Sequence, residues 1–313
     1  MSDVKISTDI AARIAAEART ALDKSFAKFV DQHLDRMRRS AAHNDVAPAL
    51  IQQAMDAGRL PNLRPEPTKE VLAALQAGRT RRSERKVHHS PAARASTVRP
   101  FNGLDAGGLR VAEDERLQVL APPYADQWTS KNGDGNSVTN CNADAQTGVF
   151  GFLDGAAGGS AACGSGVWAQ FIPDPPLPRS VQVRAYTPYN YQWHDNSQFG
   201  CTAHNDAGFG IYVLSWDLTG DDRRLEQDYR YSIWSDGTGW WDDHHNPSWG
   251  DPDYGYAYLY GNEAPYFEAQ PDRIYCACIW CFGSCDAGSG YFGNAVADAD
   301  INATAGFVVI GEQ

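Results

Sequence analysis

Residues 273–281 have the sequence RIYCACIWC, and this stretch decides the fold class. Ile274, Cys276, Cys278 and Trp280 occupy alternate positions and would share one apolar face of an extended chain. Alternation with a period of two is the pattern of a β-strand, whereas an amphipathic helix repeats every three or four residues. The stretch therefore predicts a strand with one face buried.

Similar short runs recur from residue 117 onward, divided by Gly, Asn, Asp and Pro. Val181, Val183 and Ala185, for example, alternate with Gln182 and Arg184. The predicted strands are 117–120, 137–143, 149–153, 160–171, 180–187, 209–217, 229–235, 240–244, 254–260, 273–281, 290–296 and 303–310. Turns are predicted at 132–135, 154–155, 236–237 and 261–262. Because no helical periodicity separates the runs, we predict an antiparallel β-sandwich of jelly-roll type over 101–313.

The first 78 residues predict a helical arm. Apolar residues recur at spacings of three and four over 8–39, which indicates one long amphipathic helix. Shorter helices are predicted at 48–57 and 68–77, each followed by Gly. Residues 79–100 hold seven basic residues, three Ser and two Pro but no Phe, Tyr or Trp, and predict a flexible basic linker.

The long helix must bury its apolar stripe, because an isolated amphipathic helix is only marginally stable. One interpretation is that it packs on its neighbours or on the β domain. The other is that residues 8–39 bind a partner protein or a second copy of the chain.

Charge divides the chain into the same two parts. Residues 1–100 hold 18 Lys and Arg against 11 Asp and Glu, a net charge of +7, whereas residues 101–313 hold 9 against 28, a net charge of −19. An acidic domain with this net charge repels nucleic acid and anionic membranes, so we expect residues 101–313 not to bind nucleic acid. Cations and neutral sugars are compatible with it.

The start of the sequence has no apolar segment of a signal peptide, and no run reaches the roughly 18 apolar residues of a membrane span. We therefore expect a protein that is cytoplasmic by default or released inside a particle.

The cysteines cluster in CACIWCFGSC, where Cys276, Cys278, Cys281 and Cys285 follow a C-x-C-x2-C-x3-C pattern. Zinc sites usually need two C-x2-C pairs separated by a longer spacer, and on a strand Cys281 would point away from Cys276 and Cys278. Buried free thiols are the plainer interpretation of Cys276 and Cys278. We consider a small disulfide between Cys281 and Cys285 across a tight turn, and another pair among Cys141, Cys163 and Cys201.

Residues 240–254, WWDDHHNPSWGDPDY, are the most unusual stretch. Carboxylates at such spacing are typical of calcium loops, although they are also common in plain turns. The candidate calcium ligands are Asp242, Asp243, Asp251 and Asp253. Neither H-E-x-x-H nor a comparable catalytic metal motif occurs.

Aromatic side chains beside Asp, Asn and His suit the stacking and hydrogen bonding of sugar rings. The predicted ligand-binding residues are Trp240, Trp241, Trp249, Tyr189, Tyr191, Trp193, His244 and His245. The alternative is that these aromatics pack in the core or on a sheet face.

We find no catalytic motif with the required spacing, since G-x-S-x-G is absent and no two carboxylates are singled out as an acid and a base. The leading hypothesis is a non-catalytic β-sandwich that binds carbohydrate or another surface and is tethered by its helical arm. The alternatives are a structural subunit or cargo of a larger particle, such as a capsid, spike or injection machine, and a sandwich-fold glycoside or metal-dependent hydrolase.

Overall fold

The computed structural model describes residues 7–44, 116–173, 178–198, 201–239, 242–246, 256–260, 264–288 and 295–312. Within these ranges the chain forms one helix followed by strands in two antiparallel sheets, which confirms the predicted fold class. The elements are α1 (Thr8–Asn44), β1 (Arg116–Leu120), β2 (Asp126–Gly133), β3 (Ser137–Asp144), β4 (Val149–Ala156), β5 (Gly159–Phe171), β6 (Arg179–Ser197), β7 (Thr202–Asp217), β8 (Arg224–Gly239), β9 (Asp242–His245), β10 (Tyr256–Tyr260), β11 (Phe267–Ala269), β12 (Arg273–Gly288), β13 (Ala295–Thr304) and β14 (Phe307–Glu312). The predicted helices at 48–57 and 68–77 and the linker at 79–100 lie outside the described residues.

Sheet A has the strand order β1-β14-β6-β13-β4-β3, and β9, β10 and β11 also pair with β6. Sheet B has the order β2-β5-β12-β7-β8. The inward faces of the two sheets form one apolar core that includes Phe150, Phe209 and Ile279. The strands thus build a two-sheet sandwich in which β12 is the central strand of sheet B.

The alternation in β12 separates two cores. Ile274, Cys276, Cys278, Trp280 and Phe282 belong to a second apolar cluster on the outer face of sheet B. The intervening odd-numbered residues face the core between the sheets. The predicted apolar face of residues 274–280 is therefore confirmed.

The proposed Cys281–Cys285 disulfide is wrong. β12 continues without a turn from Arg273 to Gly288, and both thiols are free. Four residues of strand separate Cα atoms by about 13 Å, which is too far for a disulfide bridge.

Glycines make room for the large rings of this outer cluster. Trp280 is flanked by Gly166 on β5 and by Gly210 on β7. A Cβ atom at Gly210 would lie 2.2 Å from the Trp280 Nε1 atom. The absence of a side chain at Gly210 leaves room for the indole ring, and its absence at Gly166 lets β5 approach the Trp280 main chain and Cβ atom closely.

Helix α1 covers the outer face of sheet B. Its buried stripe packs on an aromatic surface of the sheet, and the Phe26 ring meets Trp128 and Trp280 edge-on at centroid distances of 5.6 and 6.1 Å. The stripe consists of Ile14, Ala18, Ala21, Leu22, Phe26, Val30 and Leu34. The aromatic surface consists of Trp128, Trp168, Tyr212, Trp216, Trp280 and Phe282. The arm is thus a third layer of the fold.

Polar contacts fix the helix in one register. The Trp128 indole N–H donates to Asp23 at 2.8 Å, and the Trp216 indole N–H donates to Glu17 at 2.9 Å. Further along the helix, the Arg230 guanidinium lies 4.6 Å from the centre of the Phe29 ring. Buried indole N–H groups need such partners, so the carboxylates select this position of the helix.

The apolar stripe of α1 is therefore covered within the chain itself. Association of residues 8–39 with a partner or a second copy stays a prediction. Among the described residues, no helix is both long enough and apolar enough to span a membrane.

Several strands are longer than predicted. The expected turns at 154–155 and 236–237 lie inside β4 and β8. Residues 154–155 pair with both β13 and β3, and this double pairing overrides the local turn preference of Asp-Gly. The chain instead turns near Gly148 and Gly158, whose φ angles of 74° and 83° favour glycine.

We expect Leu22→Ala to lower the free energy of unfolding by about 2–4 kcal/mol, because Leu22 is fully buried between α1 and sheet B. The matched control is Lys28→Ala on the exposed side of the same helix, which should change stability by less than about 0.5 kcal/mol. Urea denaturation of both variants measures the difference. Equal stabilities would show that α1 does not contribute through this interface.

Candidate functional site

The candidate site lies where an edge of sheet B meets an edge of sheet A. β8 is the outermost strand of sheet B, and β9 flanks β6 in sheet A. His244 of β9 joins them, since its Nδ1 atom lies 2.9 Å from an oxygen of Asp236 on β8. We call this group the β8–β9 edge; it consists of Tyr191, Asp195, Asn205, Trp234, Asp236, Asp242 and His244.

His244 is held between two carboxylates. Its Nε2 atom lies 3.0 Å from Asp242, opposite the contact with Asp236. The hydrogen bond to Asp236 is the main reason why the pKa of His244 is raised, and Asp242 adds to the effect. Both ring nitrogens therefore face acceptors, an arrangement that favours the doubly protonated imidazolium.

The contact between His244 and Asp236 makes the stability of the fold depend on pH. Because the pKa of His244 is raised in the folded protein, the contact contributes fully to stability at a pH below the pKa of His244 in the unfolded chain. The contribution is lost as the pH rises through the pKa of His244 in the folded protein. The His244 side chain is 40% exposed, so solvent screens the interaction. The carboxylate–imidazole chain is thus suited to contact a ligand from the solvent side.

Asp195 lies behind His244 in the interior. It is opposite His244 in the β6–β9 register, and it is fully buried. Burial raises the pKa of Asp195 to about 8, the Asn205 side chain opposes this rise, and the Asp236 carboxylate adds to it. The side chain and the main chain of Asn205 supply the hydrogen bonds that oppose the rise.

Aromatic rings border the same space. Tyr191 stacks on Trp234 with a centroid distance of 5.0 Å and an interplanar angle of 19°. The Trp234 indole N–H donates to Asn205 Oδ1, and the Asn205 side chain also hydrogen-bonds to Asp195. The hydroxyls of Ser197 and Thr238 are buried without a partner among the described residues. Unpaired buried polar atoms are costly, so their concentration at one edge indicates a place where water or a ligand supplies the missing hydrogen bonds.

The predicted aromatic residues of β6 border this edge. Tyr189, Tyr191 and Trp193 are half-buried and pack against the core between the sheets. The main chain of Trp193 pairs with Asn246, which follows β9. The structure thus brings the β6 aromatics and the predicted His244 close to one another, although they are distant in sequence.

Asp243 and His245 point to the other side of β9. His194 Nε2 lies 2.6 Å from Asp243 on that face, and its Nδ1 lies 3.7 Å from Asp298. Asp242 and Asp243 therefore pair with different histidines on opposite faces. The remaining predicted residues, Trp240, Trp241, Trp249, Asp251 and Asp253, lie outside the described residues.

Across the described ranges, no three His, Cys, Asp or Glu side chains are arranged to hold a metal ion. Calcium binding that involves Asp251 and Asp253 stays a prediction.

The sequence reasoning missed Asp195, Asn205, Trp234 and Asp236. A signal for them exists, because β6 and β8 carry the same spacing of Trp, Asp and a hydroxyl residue. The two segments are Trp193-x-Asp195-x-Ser197 and Trp234-x-Asp236-x-Thr238. Alternation places each triplet on one face of its strand. The prediction of a turn at 236–237 concealed the second triplet.

Comparisons with known proteins yield only distant structural likeness. No family model and no curated protein matches the chain. The carbohydrate-binding module TmCBM61, solved with β-1,4-galactotriose, is 10% identical, with 55% of this chain and 86% of that chain covered and a TM-score of 0.17. The VP2 subviral particle of infectious bursal disease virus is 8% identical, with 64% of this chain and 40% of that chain covered and a TM-score of 0.20. Both likenesses concern the sandwich fold alone and carry no argument about function.

We expect Asp195→Asn to change how stability depends on pH. The folded pKa of about 8 lies above the unfolded value of about 3.9, so the native wild type binds an extra proton between these values. Its free energy of unfolding should fall relative to the variant as the pH rises from 5 to 8, by up to about 1.4 kcal/mol per pH unit. Above the folded pKa the difference should become constant.

Urea denaturation of both proteins from pH 5 to 9 measures this difference. Parallel curves over the whole range would contradict the raised pKa of Asp195.

Proposed function

We propose that this protein is a non-catalytic binding module and that its β8–β9 edge binds carbohydrate. The observation that carries the proposal is the meeting of half-buried rings with unpaired buried polar atoms. Tyr191 and Trp234 supply the rings, and the hydroxyls of Ser197 and Thr238 supply the polar atoms. Binding sites commonly combine an apolar wall with a few convergent polar groups.

The chemistry of the edge suits a neutral, hydroxyl-rich ligand. Asp236 and Asp242 offer acceptors, whereas the Asn205 amide nitrogen offers donors. Asp195, with its pKa near 8, keeps its proton at neutral pH and is a further donor. A sugar hydroxyl both donates and accepts, and a sugar ring presents an apolar face to an aromatic side chain. The net charge of −19 over 101–313 disfavours anionic ligands.

The position of α1 on sheet B also favours the β8–β9 edge as the binding site. The tryptophans on the outer face of sheet B form an aromatic surface, but α1 buries them. A ligand that stacks on aromatic rings therefore has access to the β8–β9 edge and not to this face. We also propose that the N-terminal helices tether the module to a partner or assembly.

We expect His244→Ala to weaken carbohydrate binding by about tenfold to a hundredfold, since a lost hydrogen bond to a charged group costs about 1.5–3 kcal/mol. His245→Ala is the matched control, because the adjacent residue lies on the opposite face of β9 and should change affinity by less than about twofold. The full chain is first screened on a glycan array, and the strongest oligosaccharide is then titrated by calorimetry. Equal losses in the two variants would contradict binding at this edge.

If the protein binds no glycan on the array, the result favours the hypothesis of a structural subunit of a larger particle. Repeating the array in chelator tests the calcium prediction separately.

One observation favours a second candidate, a glycoside hydrolase. The Asp195 carboxyl, whose pKa is raised by burial, lies close enough to Asp236 to feel its charge. An acid kept protonated beside a second carboxylate is the pair that glycosidases use. Release of reducing ends from an array-positive oligosaccharide, abolished in Asp195→Asn, would establish this activity in place of simple binding.

A further inference from the structure

Two cysteines in different sheets approach each other across the sandwich. Cys141 lies on β3 of sheet A and Cys163 on β5 of sheet B, and both side chains belong to the core between the sheets. The Cys141 thiol lies 3.5 Å from the carbonyl oxygen of Ser130 on β2. Ser130 precedes Lys131, whose register partner on β5 is Cys163. The backbone of β2 therefore places the Cys141 sulfur beside Cys163.

The two thiols differ in accessibility and in acidity. Cys141 is partly exposed, whereas Cys163 is fully buried. A hydrogen bond between the two side chains is the largest influence on both groups; it lowers the pKa of Cys141 and raises that of Cys163. Burial raises the pKa of Cys141 against this effect, and Lys131 lowers it, so that the pKa of Cys141 stays below its ordinary value. Burial and the Asp154 carboxylate raise the pKa of Cys163 further.

The other five cysteines lack this combination. All of them are buried, so Cys141 is the one partly exposed thiol among the seven, all of which the structure describes. Burial raises the pKa of Cys276, Cys278 and Cys281. A reactive cysteine is typically an exposed, acidic thiol with a second thiol within reach.

We infer that Cys141 and Cys163 are a redox-active thiol pair, and that a small disulfide such as glutathione disulfide oxidises them to a disulfide bond joining the two sheets. This inference is independent of the proposed carbohydrate site, which lies on the β8–β9 edge.

The reaction proceeds in two exchange steps. The Cys141 thiolate attacks one sulfur of glutathione disulfide, which forms a mixed disulfide and releases one glutathione thiolate. Cys163 then loses its proton to the Asp154 carboxylate, with which it shares a hydrogen bond, and its thiolate attacks the Cys141 sulfur. This step forms the Cys141–Cys163 bond and breaks the mixed disulfide, and the departing glutathione thiolate takes the proton from Asp154. The first glutathione thiolate takes the proton that Cys141 released when it ionised. The protein loses two electrons and two protons, and glutathione disulfide is reduced to two thiols.

The test uses the full chain with all seven cysteines, incubated with glutathione disulfide and analysed by intact mass spectrometry and non-reducing peptide mapping. The wild type should lose two hydrogens, carry no glutathione, and yield a peptide that links Cys141 to Cys163. Its thermal midpoint should rise, because the bond closes the 23-residue segment 141–163. Reduction with dithiothreitol should reverse all of these changes.

Single variants separate the two roles. Cys163→Ser should accumulate one stable glutathione on Cys141, and Cys141→Ser should gain neither glutathione nor a disulfide. Cys201→Ser, which changes a buried cysteine outside the pair, should behave like the wild type. A wild type that stays reduced, retains glutathione on Cys141, or links a different pair of cysteines would overturn the inference, and the wild-type peptide map decides this even if a variant fails to fold.

Discussion

The contact between helix α1 and the tryptophan-rich face of sheet B determines which surfaces of the sandwich are open. Without the helix, the rings of Trp128, Trp216 and Trp280 would form an exposed apolar patch of the kind that soluble proteins avoid. The carboxylates of Glu17 and Asp23 take up two of the indole N–H groups, so the helix both covers and orders this face. The glycine beside Trp280 on β7 leaves room for the indole ring.

The β8–β9 edge, in contrast, is not covered by the helix. There, rings meet polar groups that the described part of the protein does not satisfy, and Asp195 retains a proton because its charge would be poorly solvated. A fold seldom keeps such groups without a use for them, and pKa values perturbed in this way cluster at functional sites. The outer face of sheet B thus serves stability, and the edge is where we place binding.

Much of the architecture follows from local patterns, whereas the site follows from pairing between distant strands. The alternation in β12 and the three-and-four spacing in α1 predict their elements, since each has one face to bury. The turn preference of Asp236-Gly237 misleads, because pairing with β7 holds these residues in a strand. β2 was missed because its sequence DQWTSKNG is mostly polar.

The meeting of His244 with Asp236 depends on how the sheets stack, which no short stretch of sequence specifies. The Trp-x-Asp-x-hydroxyl pattern shared by β6 and β8 was the one available signal.

The most direct test is to record the tryptophan indole N–H signals by NMR while the strongest array oligosaccharide is titrated into the full chain. We expect the signals of the Trp234 indole and of the backbone amides of residues 242–246 to shift with a common affinity. We expect the indole signals of Trp128, Trp216 and Trp280 not to move, because α1 covers these rings. Shifts confined to those three indoles and to α1 would contradict this prediction. The ligand would then bind the outer face of sheet B, which α1 covers in the structure.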